Sequence, residues 1–167
     1  MTPTIRIATD RDAAAIADIY NQGIAERGAT FETEPRHAGD ILARLRETRF
    51  PTLVIEDGGT VLGWAGLSAY RARPCYAGIA EFSIYLDRAA RGRGLGRSLL
   101  EALVAAAREA GFWKLVSRIF PFNAASRALC RAAGFREVGV YEKHGRLDGQ
   151  WMDVVIVERI IPENQQE

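Results

Sequence analysis

Three observations predict a single α/β domain. Runs with strand-like and helix-like patterning alternate along the whole chain. A glycine-rich turn, Arg91-Gly92-Arg93-Gly94-Leu95-Gly96, joins an apolar strand-like run over 80–86 to an alanine- and leucine-rich helical run over 98–110. The 167 residues suffice for one domain with a genuine core, and no repeat or linker divides them. The domain is expected over residues 1–161, followed by a polar, frayed tail over 162–167.

The elements follow in order. A short strand covers 5–8, and Asp10 is placed to cap a helix from 11 to about 25 that buries Ala14, Ile16, Ile19, Tyr20 and Ile24. After a loop over 30–35, Ile41, Leu42 and Leu45 lie at helical spacing in a second helix over 38–48. Runs at 52–56 and 61–68 form a hairpin around Asp57-Gly58-Gly59. Residues 79–86 are the central strand before the glycine turn. The helix over 95–110 is ended by Gly111, and a strand over 113–119 follows. A short helix over 123–133 stops at Gly134-Phe135, and strands at 137–143 and 152–159 close the chain.

Composition excludes several functions. The 22 basic and 21 acidic residues leave a net charge of +1, so no global field recruits nucleic acid or an anionic membrane. There is no apolar run of membrane-spanning length, and the first residues lack the apolar stretch of a signal peptide, which predicts a cytoplasmic protein. Cys75 and Cys130 have no metal-ligand spacing, and reduced thiols are expected. Neither His37 nor His144 has spacing that suggests a metal or a triad; both read as surface or structural, and no metal is expected.

The glycine turn carries the chemistry. Glycines let the backbone approach a bound group, and a helix beginning there aims its unpaired N–H groups and its dipole at the same point. Arg91, Arg93 and Arg97 add charge, so a pyrophosphate is the natural guest; tight packing of strand against helix is the alternative. The turn is no P-loop, because Gly96 is followed by Arg97-Ser98 rather than Lys-Ser/Thr. Nor is it a dinucleotide fingerprint: Gly92, Gly94 and Gly96 have the wrong spacing and lie past the middle of the chain.

What remains, Arg-x-x-Gly-x-Gly, resembles the acyl-CoA pyrophosphate loop of the GNAT acetyltransferases, and the order β-α-α-β-β-β-α-β-α-β-β resembles that family over nearly the whole chain. The resemblance implies a mixed central sheet splayed between its fourth and fifth strands, flanking helices, and acetyl-CoA in the splay. It implies that the backbones of Ile84, Tyr85 and Leu86 bind the pantetheine and polarise the thioester carbonyl, and that Arg91, Gly92, Arg93, Gly94, Leu95, Gly96 and Arg97 hold the pyrophosphate. Asn123 and Ser126, in Asn123-Ala124-Ala125-Ser126, match the second CoA-contacting helix. Asn123 also suits a helix cap, and the two roles are compatible.

Within the family, Ile19-Tyr20-Asn21, residues 29–35, Tyr70-Arg71-Ala72-Arg73-Pro74, residues 81–86 and 148–153 resemble the phosphinothricin N-acetyltransferases, and residues 137–148 and 154–162 their arsinothricin-resistance relatives. This implies a homodimer that acetylates the α-amine of a glutamate analogue with a tetrahedral head. Methionine sulfoximine or sulfone, a general amino acid, or a non-catalytic acetyl-CoA-sensing domain are the alternatives. An α-amine of pKa about 8 is mostly protonated near neutral pH and needs a base. Glu81, on the buried strand before the turn, matches the family's general base; the alternative is a strand-end glutamate paired with an arginine.

Arg71 and Arg73, two apart and so on one side of an extended segment, suit an oxyacid head, unless they are simply an exposed basic loop. Thr30, Phe31 and Tyr76 are candidate pocket walls, with Phe31 alternatively an aromatic plug. Cys130 stands where many relatives carry a tyrosine acid, and a small buried residue is the plainer reading. Trp151 and Asp153, at the start of the last strand, lie near the site and dimer contact by resemblance, though core packing explains Trp151 equally.

Overall fold

The computed structural model describes residues 2–166. Its strands are β1 (Thr4–Ile7), β2 (Thr52–Asp57), β3 (Thr60–Ala69), β4 (Ile79–Leu86), β5 (Lys114–Ile119), β6 (Arg136–Leu147) and β7 (Gln150–Ile160). Its helices are α1 (Ala13–Glu26), α2 (Ala38–Leu45), α3 (Leu95–Glu109) and α4 (Ala124–Ala132). The strands form one sheet in the order β1-β2-β3-β4-β5-β7-β6. Every neighbouring pair is antiparallel except β4 and β5, which run parallel.

The expected splay is present. β4 pairs with β5 only through Ile79, Ala80 and Glu81, opposite Lys114, Leu115 and Val116, while the rest of β4 stays paired with β3. On one face of the sheet, Leu53, Ile55, Ala65, Leu67, Ala80 and Phe82 pack with Leu99, Leu100 and Leu103 of α3 and Cys130 of α4. On the other, Val54 and Trp64 pack under Ala13, Ile16, Ala17 and Ile19 of α1 and Ile41 of α2. Burial of these apolar side chains supplies the main driving force. No helix among the described residues is long and apolar enough to cross a membrane.

Several boundaries differ from the sequence reading, each for a local reason. Asp10 does not cap α1: a short 3-10 turn, Asp10–Asp12, comes first, and buried Asp12 accepts the Thr9 backbone N–H at 2.7 Å while pairing with Arg6. Ala14 consequently faces solvent. α2 ends at Leu45, before the expected 48, and turns toward Phe50, which packs on the core. β6 extends past 143 because Lys143, with φ 47°, forms a bulge whose backbone N–H bonds to Asp153, after which pairing resumes at Gly145. The β6–β7 hairpin closes on Asp148-Gly149, both at positive φ as a two-residue primed turn requires. Trp151 is 59% exposed, so core packing does not account for it. The tail is not frayed throughout: Pro162–Asn164 form a 3-10 turn, and Asn164 donates to the Arg108 and Phe112 carbonyls at the end of α3, at 2.8 Å each.

The far end of the sheet is tied by charge. Glu158 of β7, 8% exposed, pairs with Lys114 of β5 and Arg136 of β6, and these partners hold its carboxyl below the usual carboxylate range. Glu158→Gln is expected to cost about 1.5–2 kcal/mol of stability near neutral pH, because it exchanges charge-assisted hydrogen bonds to two partly solvated cations for those of a neutral amide. A depressed folded-state pKa means that the contribution is fully present above the ordinary carboxylate value and is lost as pH falls through the depressed one. Urea unfolding of wild type and variant should converge in acid; an equal gap at neutral and strongly acidic pH would remove the ion pair as its source.

Candidate active site

The splay opens a cavity of about 470 Å³. Glu81, Ser83, Ile84 and Tyr85 of β4 line it with Ser68 of β3 and Ser117 and Arg118 of β5. Asn123, Ser126, Leu129 and Cys130 of α4 and the adjoining Phe120 close one side. Tyr20 of α1, residues 29–32 and Arg44 of α2 close the other.

Backbone direction in β4 can be read from two bonds. The Asp87 N–H donates to the Leu62 carbonyl at 2.8 Å, so odd-numbered residues turn their peptide groups to β3. The Ser117 hydroxyl donates to the Phe82 carbonyl at 3.0 Å, so even-numbered residues turn theirs to β5. Beyond Phe82, therefore, Ile84 and Leu86 direct peptide groups into the splay. Tyr85 does not, contrary to the sequence reading; it contributes its side chain to the cavity wall. That ring stacks with Tyr20 at 5.0 Å and Trp64 at 5.5 Å, and burial raises its phenol above the ordinary value.

Alternation also sets which β4 side chains reach the cavity's polar end. Glu81 stands opposite Ser68, and Ser83 opposite Gly66. Glu81 is half-buried, and Arg118 Nη2 donates to both its carboxylate oxygens at 3.0 Å. The arginine pairing foreseen as an alternative is thus present, with Glu81 still facing the cavity. Arg118 escaped the sequence reading, because only the three-residue β4–β5 register brings it there.

The glycine turn forms as expected. Gly92 and Gly94 both have φ 76°, Gly94 immediately precedes α3, and a Cβ on either meets no protein atom within 4 Å. Side-chain charge there is less free than expected: Arg91 makes a two-point pair with Glu26 at 2.7 and 2.8 Å, and Arg97 pairs with Glu101. Arg93 has no ion pair among the described residues. The residues fit a pyrophosphate chiefly through α3's N-terminal peptides, two glycines and Arg93. Asn123 caps α4, accepting the Ser126 N–H at 3.1 Å, and its amide donates to the Gly28 carbonyl, tying α4 to the loop that carries Thr30 and Phe31.

Thr30 and Phe31 line the cavity, and Phe31 also packs edge-on against Phe120, so both readings of that ring hold. Arg71, Arg73 and Tyr76 are not among the lining residues. The alternation argument needed an extended segment, but the chain bends at Ala72 and Arg73 and enters a 3-10 turn, Pro74–Tyr76. Arg71 and Arg73, both exposed, lie over Tyr70 and Tyr76 respectively. Cys130 is buried against the cavity, and burial pushes its thiol up to about 12. Arg44 was also missed. Its signal was a charged residue three positions after Ile41, on the stripe that α2 buries.

Comparison with known proteins agrees with this geometry. Residues 16–135 match the acetyltransferase (GNAT) family. A phosphinothricin N-acetyltransferase of Alcaligenes faecalis is 35% identical, the match covering 93% of this chain and 81% of that one. An L-methionine sulfoximine/L-methionine sulfone acetyltransferase of Salmonella typhimurium is 32% identical, covering 96% of each. The crystal structure of a GNAT superfamily phosphinothricin acetyltransferase from Sinorhizobium meliloti in complex with AcCoA superimposes with a TM-score of 0.89 at 34% identity, over 96% of this chain and 89% of that one. With more than half of its length matched to one family, and a splayed sheet and glycine turn to correspond, the chain belongs to the GNAT acetyltransferases.

Proposed function

We propose that this protein transfers the acetyl group of acetyl-CoA to the α-amine of a glutamate-like amino acid of the phosphinothricin, arsinothricin or methionine sulfoximine type, detoxifying it. One observation carries the reading: a carboxylate, Glu81, faces the same cavity into which the peptide group of Ile84 points. The amine nitrogen attacks the thioester carbonyl carbon, and the developing oxyanion is stabilised by the free β4 peptide N–H groups. Before this attack Glu81 takes one proton from the ammonium through water and returns it to solvent; after it the C–S bond breaks, CoA leaves as thiolate, and the second proton that nitrogen sheds in becoming an amide goes to that thiolate. Protonating Glu81 weakens its pair with Arg118, so that pair loosens as the amine becomes nucleophilic. Cys130 is no acid for this step: its thiol, at about 12, holds its proton more tightly than a CoA thiol of pKa about 8.5.

The fully assembled enzyme is read as a cytoplasmic homodimer. Both cysteines are free, which suits a reducing compartment. β6 is an edge strand, and Val138, Val140 and Tyr141 on it are exposed with Trp151 and Ile160 of β7 beside them, a surface suited to a second copy. Arg71, near Tyr141, and Arg73 sit just beyond the β3 end that carries Ser68, where the distal head of a substrate would emerge.

Thiol release should depend on an added amino acid, and parallel kinetics on phosphinothricin, arsinothricin and methionine sulfoximine should rank them. Tight acetyl-CoA binding without turnover on any amine would establish a sensor instead. Gly94→Val should abolish acetyl-CoA binding in calorimetry while the protein stays folded, since its side chain enters the open cradle and φ 76° disfavours it. Glu81→Gln should lower kcat by about 10²-fold or more with acetyl-CoA affinity little changed, the loss shrinking as pH rises and free amine accumulates. Wild-type turnover in that variant near neutral pH would remove Glu81 from the mechanism. Cys130→Ala should leave kcat within about threefold, because no proton is drawn from it; a larger fall in a stably folded variant would return the thiol to consideration.

A further inference from the structure

Of the charged side chains lining the cavity, Arg44 alone has no counter-ion among the described residues. Glu81 is matched by Arg118, and Glu32 by Arg36 at 2.9 Å. Arg44 crosses from α2 to lie over Trp64, 5.0 Å from its ring centre, and its only hydrogen bond among the described residues is a long one, 3.3 Å from Nη2 to the Leu67 carbonyl. Its Nε is buried without a partner. Burial without an anion destabilises its charged form, and the titratable groups that act on it are the phenols of Tyr20 and Tyr85. An uncompensated guanidinium facing a binding cavity is a costly arrangement that an incoming anion relieves.

The register places this cation. A Cβ on Gly66 would come within 2.9 Å of Arg44 Nη2, so the absence of a side chain at Gly66 gives the guanidinium its seat on the sheet. Gly66 is two residues from Ser68 on the same face of β3, and their partners on β4 are Ser83 and Glu81. The guanidinium therefore lies about 7 Å along the sheet from the Glu81 row. An amine deprotonated through water by Glu81 has one substituent common to all amino acids, the α-carboxylate on the same carbon, and of the two lining cations Arg118 is already paired with Glu81, which leaves Arg44 to receive it. A flexible distal head has no such fixed distance from the amine.

We propose that Arg44 is the receptor for the α-carboxylate of the amino-acid substrate, holding it beside the amine that Glu81 deprotonates. The proposal rests on the amino-acid acetyltransferase reading. It divides recognition in two, the buried cation selecting for an amino acid and the outer segment for its head.

The test uses methionine sulfone, whose head is uncharged, and its α-carboxamide, with wild type, Arg44→Met and Arg44→Lys. Arg44→Met should raise KM for the acid by about 10- to 100-fold, as for loss of a charge-assisted hydrogen-bonded pair, with kcat within a few-fold. KM for the carboxamide and the calorimetric affinity for acetyl-CoA should stay near wild type, so the preference for acid over amide disappears. Arg44→Lys, which keeps charge but not the planar grip, should show an intermediate loss for the acid alone, and it carries the test if the Met variant unfolds. Equal KM changes for acid and amide, or none, would reduce Arg44 to a packing residue on Trp64. Failure of wild type to acetylate either compound, or any amino acid, would sink the amino-acid reading itself and this proposal with it.

Discussion

Everything at the site depends on where β4 and β5 stop pairing. The ladder holds for three residues and ends at Glu81 and Val116, while β4 continues in register with β3 through Leu86. Buried peptide groups without partners are expensive, so an open ladder in the middle of a sheet persists only where something else satisfies them. Ser117 does so for the first carbonyl after the break, at Phe82. The peptide group of Ile84 is left to face the cavity, where a ligand with an amide-rich arm supplies what a strand would have supplied, while the Leu86 carbonyl farther along receives the Arg91 guanidinium. The same divergence lets α4 approach from one side and the 29–32 loop from the other, with Asn123 bonded across to Gly28.

A single strand then serves two chemical purposes through its alternation. Side chains of Ala80 and Phe82 point into the core under α3 and α4, while Glu81 and Tyr85 turn to the opposite face. Peptide groups alternate in the plane of the sheet, so Ile84 and Leu86 offer donors to the splay while Tyr85 is held by β3. In the proposed reaction the base is a side chain, Glu81, and the oxyanion donor a peptide group, that of Ile84 three residues on, with no loop involved. Rigidity of this kind suits a reaction whose demands are chiefly positional.

How much of this was legible depended on the kind of constraint. Gly92 and Gly94 could be read because a positive φ leaves its trace as a residue type, and the apolar stripes of α1 and α3 because burial leaves its trace as a period. Glu81 could be placed on a strand before a turn, but its partner Arg118 lies 37 residues away and is brought there by strand register, which no local pattern encodes. Arg71 and Arg73 are not set side by side as alternation suggested, because alternation holds only within a strand, and the bend at Ala72 and Arg73 comes just past the end of one. The tail over 162–167 looked frayed by composition, whereas Asn164 donates to the carbonyls of Arg108 in α3 and of Phe112 just past it, partners that only the fold brings within reach.

The distribution of paired charge carries one more consequence. Arg91, Arg97 and Arg118 are each matched by a carboxylate, and Arg91 does so by reaching to Glu26 at the end of α1. The glycine turn is therefore braced against the helix that also supplies Tyr20 to the cavity, and the cost of ordering its long arginine is met before any ligand arrives. What it offers an anion is consequently backbone: a helix N-terminus and glycines at positive φ, exposed and tolerant of a hydrated pyrophosphate. Arg44 is the opposite device, a buried cation with little competing water, where one added charge changes the local electrostatics far more. A solvated backbone cradle binds any pyrophosphate carrier, whereas a desolvated guanidinium penalises every amine that arrives without an anion. On the proposed assignment, selectivity for the acceptor's carboxylate belongs on the α2 side of the splay, and affinity for the donor on the α3 side.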